Sequence, residues 1–473
     1  MSTFNGLNTS FTALNAARTA IEVAGQNIAN VKTPGYTRQR AELVANGALG
    51  GVGLFAPPRP GIGQGVTVSG ITRLADEVLN AQMRGTSATA GYHAARAIAL
   101  AKLEGGLNEP GAHGIAAQLQ EFWSSWQGLS NTAGDGAATA VVLEEATTLI
   151  SRLAQGYRDV TSQWKSLRAE AATMVSTING AAERIAELTS TIRRVGLAGG
   201  NTNELSDQRD RFAAELASAA GGVVHAHGDG AIDVLIGGNP IVSGITWNRV
   251  ALVGPTTPDG GGAVTLEWQR RPGSPVTLDG GELAGALSVL APATGSGTGG
   301  QLAEALTSYN GLASELASQV NALHCTGSTT TGQTDLDFFS VDPTRPAALG
   351  LGMIPTSASG IASGAVGAGA LDGSIADAIA QLRLASDGPD VHWATFVARV
   401  GVVAGGEHDR ATVAELAMNS AVARQQSSAS VDLDEENLNL VLAQTAYQGA
   451  ARVFTAIDEM LDALINRTGI VGR

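Results

Sequence analysis

The sequence predicts a mainly α fold with a minor antiparallel β part (α+β). Long N- and C-terminal helices should pair, beside a helical body that carries a small β unit. Three observations predict it. Apolar heptads run along both chain ends. Apolar spacings of three and four recur between residues 71 and 220. Alternating runs broken by turn residues replace them between 223 and 277. The first two patterns mark helices buried along one face, and the third marks half-buried strands.

The N-terminal heptad is Leu7, Leu14, Ile21 and Ile28, with Phe4 and Phe11 three residues before the first two. It weakens at Arg18 and Gly25 and ends at Thr33-Pro34-Gly35-Tyr36. Pro34 disfavours helix at Thr33, and Pro-Gly fits the centre of a type II turn. A Gly- and Pro-rich stretch over 37–71 reads as an extended hairpin, with Gly65-Val66-Thr67-Val68 a β-like piece. Helix is expected from Ile71 onward, through Leu74, Val78, Leu79 and Met83, and then through Ile115, Leu119, Phe122, Trp123 and Trp126. A long helix should cover Ala138 to Val195, with Gly156 and Gly180 as weak points, and another opens at Asn203.

Composition shifts at Gly221. Ile232-Asp233-Val234-Leu235-Ile236 and Val264-Thr265-Leu266-Glu267-Trp268 alternate between Pro-Asp-Gly and Gly-Gly steps, as in a small antiparallel unit. Helix returns near Glu282, from Gln301 to Leu323, near Ser374, from Val391 to Val403 and from Thr412 to Ser430. The last heptad is Leu433, Leu440, Tyr447, Phe454 and Leu461, with Ala443, Ala450, Ile457 and Leu464 three residues after four of them. Asp432 with Glu435 reads as a capping box. The expected division is a terminal coiled-coil domain (1–33 and 431–473), a mostly helical body (34–220 and 281–430), a β-rich subdomain (221–280) and a short Gly/Ala-rich loop or small irregular insert (343–373).

The formal charge is −14, and only Lys32, Lys102 and Lys165 are lysines, so a nucleic-acid partner is not expected. Charged residues are 15% of the chain, too few for charge-driven disorder. A single cysteine, Cys325, excludes an intrachain disulfide and a Cys-based zinc site. No run of 18 apolar residues suggests membrane insertion, and the N-terminus lacks the charged and apolar regions of a secretory signal.

Chemical motifs are sparse. Gly61-Ile62-Gly63-Gln64-Gly65 has Val66 where a dinucleotide fingerprint needs glycine, so a Gly-rich turn is expected there. His225 and His227 would share a strand face but lack a third ligand. His324-Cys325 are adjacent and do not face each other on a helix, so a structural thiol is expected. His408 reads as a solvated loop residue, and Trp123 and Trp126 as core aromatics. No catalytic set, cofactor or metal is expected.

Asn27-Ile28-Ala29-Asn30-Val31-Lys32-Thr33-Pro34-Gly35-Tyr36 resembles the N-terminal motif of the bacterial flagellar axial (rod, hook and hook-associated) family. Val431-Asp432-Leu433-Asp434-Glu435-Glu436, Gln444-Thr445-Ala446-Tyr447-Gln448 and Asp458-Glu459-Met460-Leu461 resemble its C-terminal motif. Thr37-Arg38-Gln39, Leu205-Ser206-Asp207-Gln208-Arg209-Asp210, Asn321-Ala322-Leu323-His324 and Asp337-Phe338-Phe339 favour the branch at the hook–filament junction.

The resemblance implies a structural adaptor exported through the flagellar type III apparatus to the extracellular flagellum. Its terminal helices would assemble in the inner tube of the axial structure. The expected interface is Phe4, Leu7, Phe11, Leu14, Ile21, Ile28, Leu433, Leu440, Tyr447, Phe454, Ile457, Leu461 and Leu464. The expected motif residues are Asn27, Asn30, Thr33, Pro34, Gly35 and Tyr36. Implied partners are copies of the chain in a ring or short helical zone, the hook protein, the next hook-associated protein and an export chaperone on the C-terminal helix. Some relatives carry a large outer β-domain after the Phe-Phe pair, where this chain has only 343–373. A hook or distal-rod protein is the alternative within the family, disfavoured by the long helical region. A secreted cell-wall hydrolase is the alternative outside it, disfavoured by the missing catalytic set.

Overall fold

A computed structural model describes residues 3–47, 63–295 and 297–467. Helix α1 (Thr3–Asn30) leads to the hairpin of β1 (Gln39–Ala45) and β2 (Val66–Arg73). Four helices follow: α2 (Glu77–Leu107), α3 (Ile115–Asn131), α4 (Gly136–Leu197) and α5 (Asn203–Ala220). Next come strands β3 (Val223–Ala226), β4 (Ile232–Ile236), β5 (Asn239–Ser243), β6 (Thr246–Trp247), β7 (Val250–Val253) and β8 (Thr265–Trp268). Helices α6 (Glu282–Leu290) and α7 (Gln301–His324) precede β9 (Gly327–Thr329) and β10 (Phe339–Val341). A helical turn, α8 (Ala347–Gly350), runs into β11 (Leu351–Met353) and β12 (Ala362–Ala365). Helices α9 (Ser374–Ala380), α10 (Pro389–Ala429) and α11 (Leu433–Asp462) follow, and α11 runs on into a π-helical turn (Ala463–Arg467).

The fold is mainly α with small antiparallel ladders, as the periodicities predict. β3–β4–β5–β6 form one sheet, and β7–β8, β9–β12 and β10–β11 form two-stranded ladders. Side-chain caps start the helices where the sequence places Asp: Asp76 Oδ1 accepts from the Val78 and Leu79 amides, and Asp135 Oδ1 from that of Ala137. Gly221, at φ 75°, closes α5 in the left-handed conformation that a side chain would strain.

One contiguous set of buried side chains runs from α2 to α10 and includes the β unit. The sheet is therefore not an independent core. It lies on α4, where buried Asn179 holds Val250 through both backbone groups, at 2.8 and 3.0 Å. Trp123 and Trp126 are fully buried and pack with Phe122, Phe338 and Phe339. The two internal stretches singled out in the sequence lock this aromatic cluster together. Asn321 Oδ1 accepts from the amides of Phe338 and Phe339, and its Nδ2 donates to the Phe339 carbonyl. His324 is fully buried; its Nδ1 lies 2.6 Å from the Leu336 carbonyl, and its Nε2 accepts from the Ala362 amide at 2.9 Å. Burial holds its pKa below the ordinary histidine value.

Four local expectations are corrected. Ile71 lies in β2, not in helix, because it pairs with Ala41 in the hairpin ladder. The separate helices at 391–403 and 412–430 are one, α10, and His408 sits on it rather than in a loop. Packing of α10 on α2 overrides the weak helix propensity of Gly405 and Gly406. At the α2–α10 contact, buried Glu407 meets His93 at 2.6 Å and Arg96 at 3.2 Å. The stretch 343–373 is not a plain loop: it carries α8, β11 and β12, and buries Ala348, Leu351, Ile361 and Ala362. Finally, Asp432 caps α11, but Glu435 does not reach back to complete the box. Its carboxylate goes to Arg38 instead, at 2.5 Å.

Candidate assembly site

The two chain ends lie against each other. Asn27 meets Glu436, while Gly6 stands so close to Ile457 that a Cβ there would come within 2.9 Å of its Cδ1, so α1 and α11 run antiparallel. The residues of α1 that are buried are small or polar: Ser10, Ala16, Ala17, Val23, Ala24 and Asn27. The expected interface residues Leu7, Leu14, Ile21 and Ile28 are only half-buried, and Phe11 is exposed. The side chain of Phe4 lies outside the described residues. On α11 only Glu436 and Ala443 are buried. Leu440, Phe454, Ile457 and Leu461 are half-buried against the pair, while Leu433, Tyr447 and Leu464 are exposed.

A further row of α11 residues is bare in the single chain: Leu438 at 60% exposure, Leu442 at 58%, and Val441, Val453 and Met460 at similar levels. An apolar cavity of about 560 Å³ also opens between α1, the hairpin and α11, lined by Ala13, Ala16, Ala20, Leu43 and Leu442 among others. So α1 satisfies its small-residue side on the protein's own body and leaves its large apolar side only half-covered, with Phe11 exposed. A helix with this much apolar surface open to water wants a second neighbour.

The motif at the end of α1 anchors this pair to the body. Thr33-Pro34-Gly35-Tyr36 forms the expected turn, with Gly35 at φ 79° and the Tyr36 amide donating to the Thr33 carbonyl at 3.2 Å. Asn30 Oδ1 accepts from the Thr33 hydroxyl at 3.1 Å and steadies the turn's first residue. The turn swings Tyr36 back over the helix, where its hydroxyl donates to Asn27 Oδ1 at 2.9 Å. Burial, with help from Asp207, Glu204 and Glu436, pushes the Tyr36 phenol up to about 12, so it remains a donor.

Asn27 is the hub. Its Oδ1 also accepts from the Gln39 amide at 3.0 Å, and its Nδ2 donates to the Gln39 carbonyl at 2.9 Å and to Glu436 Oε2 at 3.1 Å. One buried amide thus ties α1, β1 and α11 together. Arg38 adds Nε to Glu436 Oε1 at 2.7 Å. Loss of water opposes the Arg38 charge, but Glu435 and Glu436 outweigh it and raise its pKa.

A second set of charges joins the hairpin to α5. Asp207 Oδ2 accepts from the Thr37 amide at 3.0 Å, and its Oδ1 pairs with Arg73 at 2.7 Å. Arg73 also reaches Asp210 at 2.8 Å. Arg209, on the same helix, donates to the Gly230 carbonyl at 2.6 Å and so holds the turn between β3 and β4. The Asp-Gln-Arg-Asp stretch is therefore a clamp between the terminal pair and the body. Sequence reading found its two ends but not Arg73 or Asn203, whose Nδ2 holds Gln39 Oε1 and the Ile71 carbonyl. Neither carries a local signal, since each acts only through partners more than a hundred residues away.

The chemical motifs take ordinary places. His227 pairs with Asp233 at 3.0 Å on the exposed edge of the sheet, and His225 lies opposite Asp233 in the ladder. Cys325 caps the end of α7 and is half-buried. Gly61 and Ile62 lie outside the described residues, and Gly65, at φ 90°, packs against Thr9 of α1. Among the described residues no group of three or more His, Cys, Asp or Glu could hold a metal, and no helix is long and apolar enough to cross a membrane.

Comparison with known proteins finds three family models along the chain. The flagellar hook-associated protein FlgK helical domain matches residues 100–339. The flagella basal body rod protein model matches 7–37, and the flagellar basal body rod FlgEFG protein C-terminal model matches 426–467. Flagellar hook-associated protein 1 of Bacillus subtilis (strain 168) is 31% identical over 514 aligned residues, covering 100% of both chains. The protein of that name in Escherichia coli (strain K12) is 31% identical over 52% of this chain and 44% of its own length. The one in Salmonella typhimurium is 29% identical over 71% and 59%. The solved structure of the flagellar hook junction protein FlgK from Burkholderia pseudomallei shares the fold, with a TM-score of 0.64 at 17% identity over 74% of this chain and 100% of that one.

Proposed function

The chain belongs to the flagellar hook-associated protein 1 family, and from that premise we propose that it is the structural adaptor joining hook to filament. It assembles by covering the open apolar faces of α1 and α11 with copies of itself and with its axial neighbours. The hook protein lies on one side and the next hook-associated protein on the other. The site is extracellular, on the flagellum. Export through the type III apparatus, with a chaperone gripping α11 before export, completes the proposal. A helix as bare as α11 needs cover in the cytoplasm as well as in the assembly. We read the chain as a non-enzyme, in keeping with the structural names of its relatives.

The observation that carries the reading is the exposure of Leu438, Val441 and Leu442 on a helix that buries only two of its residues. The small-residue side of α1 is engaged; these side chains are not. The distal-rod and hook alternative loses ground to the 100–339 match, which spans α3, α4 and α5 and so covers the body rather than the shared ends.

The test is to add purified protein from outside to hook-bearing cells that lack their own junction protein. Wild-type protein should cap the hooks and permit filament growth. Protein with Leu438→Asp and Val441→Asp should stay folded and fail, because assembly would bury unpaired carboxylates. Filament growth equal to wild type with that variant would remove the terminal helices as the interface.

A further inference from the structure

On the β unit, outside the terminal pair, a hollow of about 320 Å³ is lined by Asn239, Pro240, Asn248, Arg249, Trp268, Arg270 and Arg271. The chain as a whole carries a formal charge of −14, yet three arginines line this one hollow. Among the described residues none of the three makes an ion pair, and none of their side chains has a hydrogen-bond partner there. The adjacent carboxylate, Glu267, does not line the hollow and accepts from the Gly273 amide at 2.8 Å. All three arginines are exposed, so solvent screens much of their mutual repulsion, and an anion seated among them would relieve the rest.

The rest of the lining narrows what that anion is. Trp268 is half-buried: part of its ring packs on the core and part faces the hollow. Asn239 donates its amide to the Gly237 carbonyl and Asn248 to the Pro240 carbonyl, both at 3.0 Å. Each side chain still offers its carbonyl oxygen as an acceptor and its second N–H as a donor. The hollow thus combines guanidinium forks, which match a carboxylate, with acceptors for hydroxyl groups and an aromatic face for C–H groups. Its size and mixed lining suit one or two sugar rings rather than a flat protein surface.

We propose that this hollow is a binding site for a carboxylate-bearing sugar, such as a uronic-acid residue of an acidic polysaccharide. The arginines take the carboxylate, the Asn239 and Asn248 oxygens accept from ring hydroxyls, and Trp268 stacks on the ring's apolar face. The proposal goes beyond the junction role and does not depend on it, because the site is complete in one chain. It would give the protein a contact with acidic polysaccharide while it holds its place in the flagellum.

Titration calorimetry on the full-length monomer tests it, with trigalacturonate as the probe, maltotriose as the neutral control and tetraglutamate as the non-sugar acid. Trigalacturonate should bind, weakening as salt is raised, and maltotriose should not. Arg270→Ala and Arg271→Ala should each weaken binding by about tenfold or more without changing the melting temperature. Arg271→Lys should fall between, keeping charge but losing the fork. No binding of trigalacturonate, equal binding of maltotriose, or unchanged binding in both alanine variants would overturn the site. Tetraglutamate binding as tightly as trigalacturonate would overturn the sugar assignment, because charge alone would then account for the affinity.

Discussion

Arg38 and Glu436, 398 residues apart in sequence, meet with Nε 2.7 Å from Oε1. The carboxylate is buried on the first turn of α11, and the guanidinium extends from the residue just before β1. The contact fixes where the terminal pair leaves the body. It also explains why two motifs at opposite chain ends are each short and polar inside otherwise apolar patterns.

Removing the arginine should release α11. Arg38→Ala leaves Glu436 buried and without its cation, at a cost of about 3 kcal/mol or more. Hydrogen exchange over residues 433–446 should speed up, while the melting of the body stays near wild type. Arg38→Ala with Glu436→Ala should cost less than the two single changes added together. Unchanged exchange in Arg38→Ala would show that apolar packing alone docks the helix.

Asn27 supplies four hydrogen bonds at the same node. Asn27→Ala should cost about 1–3 kcal/mol, since the Gln39 amide and carbonyl lose their partners while staying buried. Asn27→Asp should be worse at neutral pH, because it sets a second carboxylate against Glu436. Repulsion raises the folded-state pKa of that pair, so the penalty grows as pH rises above the ordinary carboxylate range and fades below it. Proteolysis of the terminal pair against pH would read the difference, and a pH-independent Asn27→Asp would contradict the arrangement.

Gly156 and Gly180 both lie inside α4, and they should respond oppositely to alanine. At Gly180 an added Cβ meets nothing within 4 Å, so Gly180→Ala should stabilise by about 1 kcal/mol. At Gly156 the Cβ would overlap the phenol ring of buried Tyr309, so Gly156→Ala should destabilise by about 1–3 kcal/mol. Chemical denaturation of both variants checks this; equal shifts of the same sign would be incompatible with the α4–α7 contact.

The body should lose stability as pH falls below the ordinary histidine range. His324 is buried with Nε2 accepting from Ala362, and burial depresses its pKa. The unfolded state therefore takes up a proton first, and stability drops between the unfolded pKa, about 6.5, and the lower folded value. His392, exposed beside Glu315, shifts upward and contributes the opposite slope, weakened by solvent. Melting temperatures from pH 7.5 to 5 should fall more steeply in wild type than in His324→Gln. Parallel curves would mean that His324 does not carry the effect.

The sequence by itself determined the elements and their chemistry. The heptads from Leu7 and from Leu433 gave two helices, Thr33-Pro34-Gly35-Tyr36 gave a type II turn, and alternation after Gly221 gave strands, because each of these depends on residues within a turn or two of one another. It also marked Asn27, Asp207 and Glu436 through the resemblance of their surroundings. Only the tertiary structure decided what those residues hold. It paired Arg38 with Glu436 and Arg73 with Asp207, buried Ala16 and Ala17 of α1 rather than Phe11, and fused two expected helices into α10 through the packing against α2. It alone separates Gly156 from Gly180. The physical reason is the same throughout: periodicity and turn preference are local backbone energies, whereas burial, counter-charge and close approach depend on which distant segment arrives, and no short window of sequence contains that.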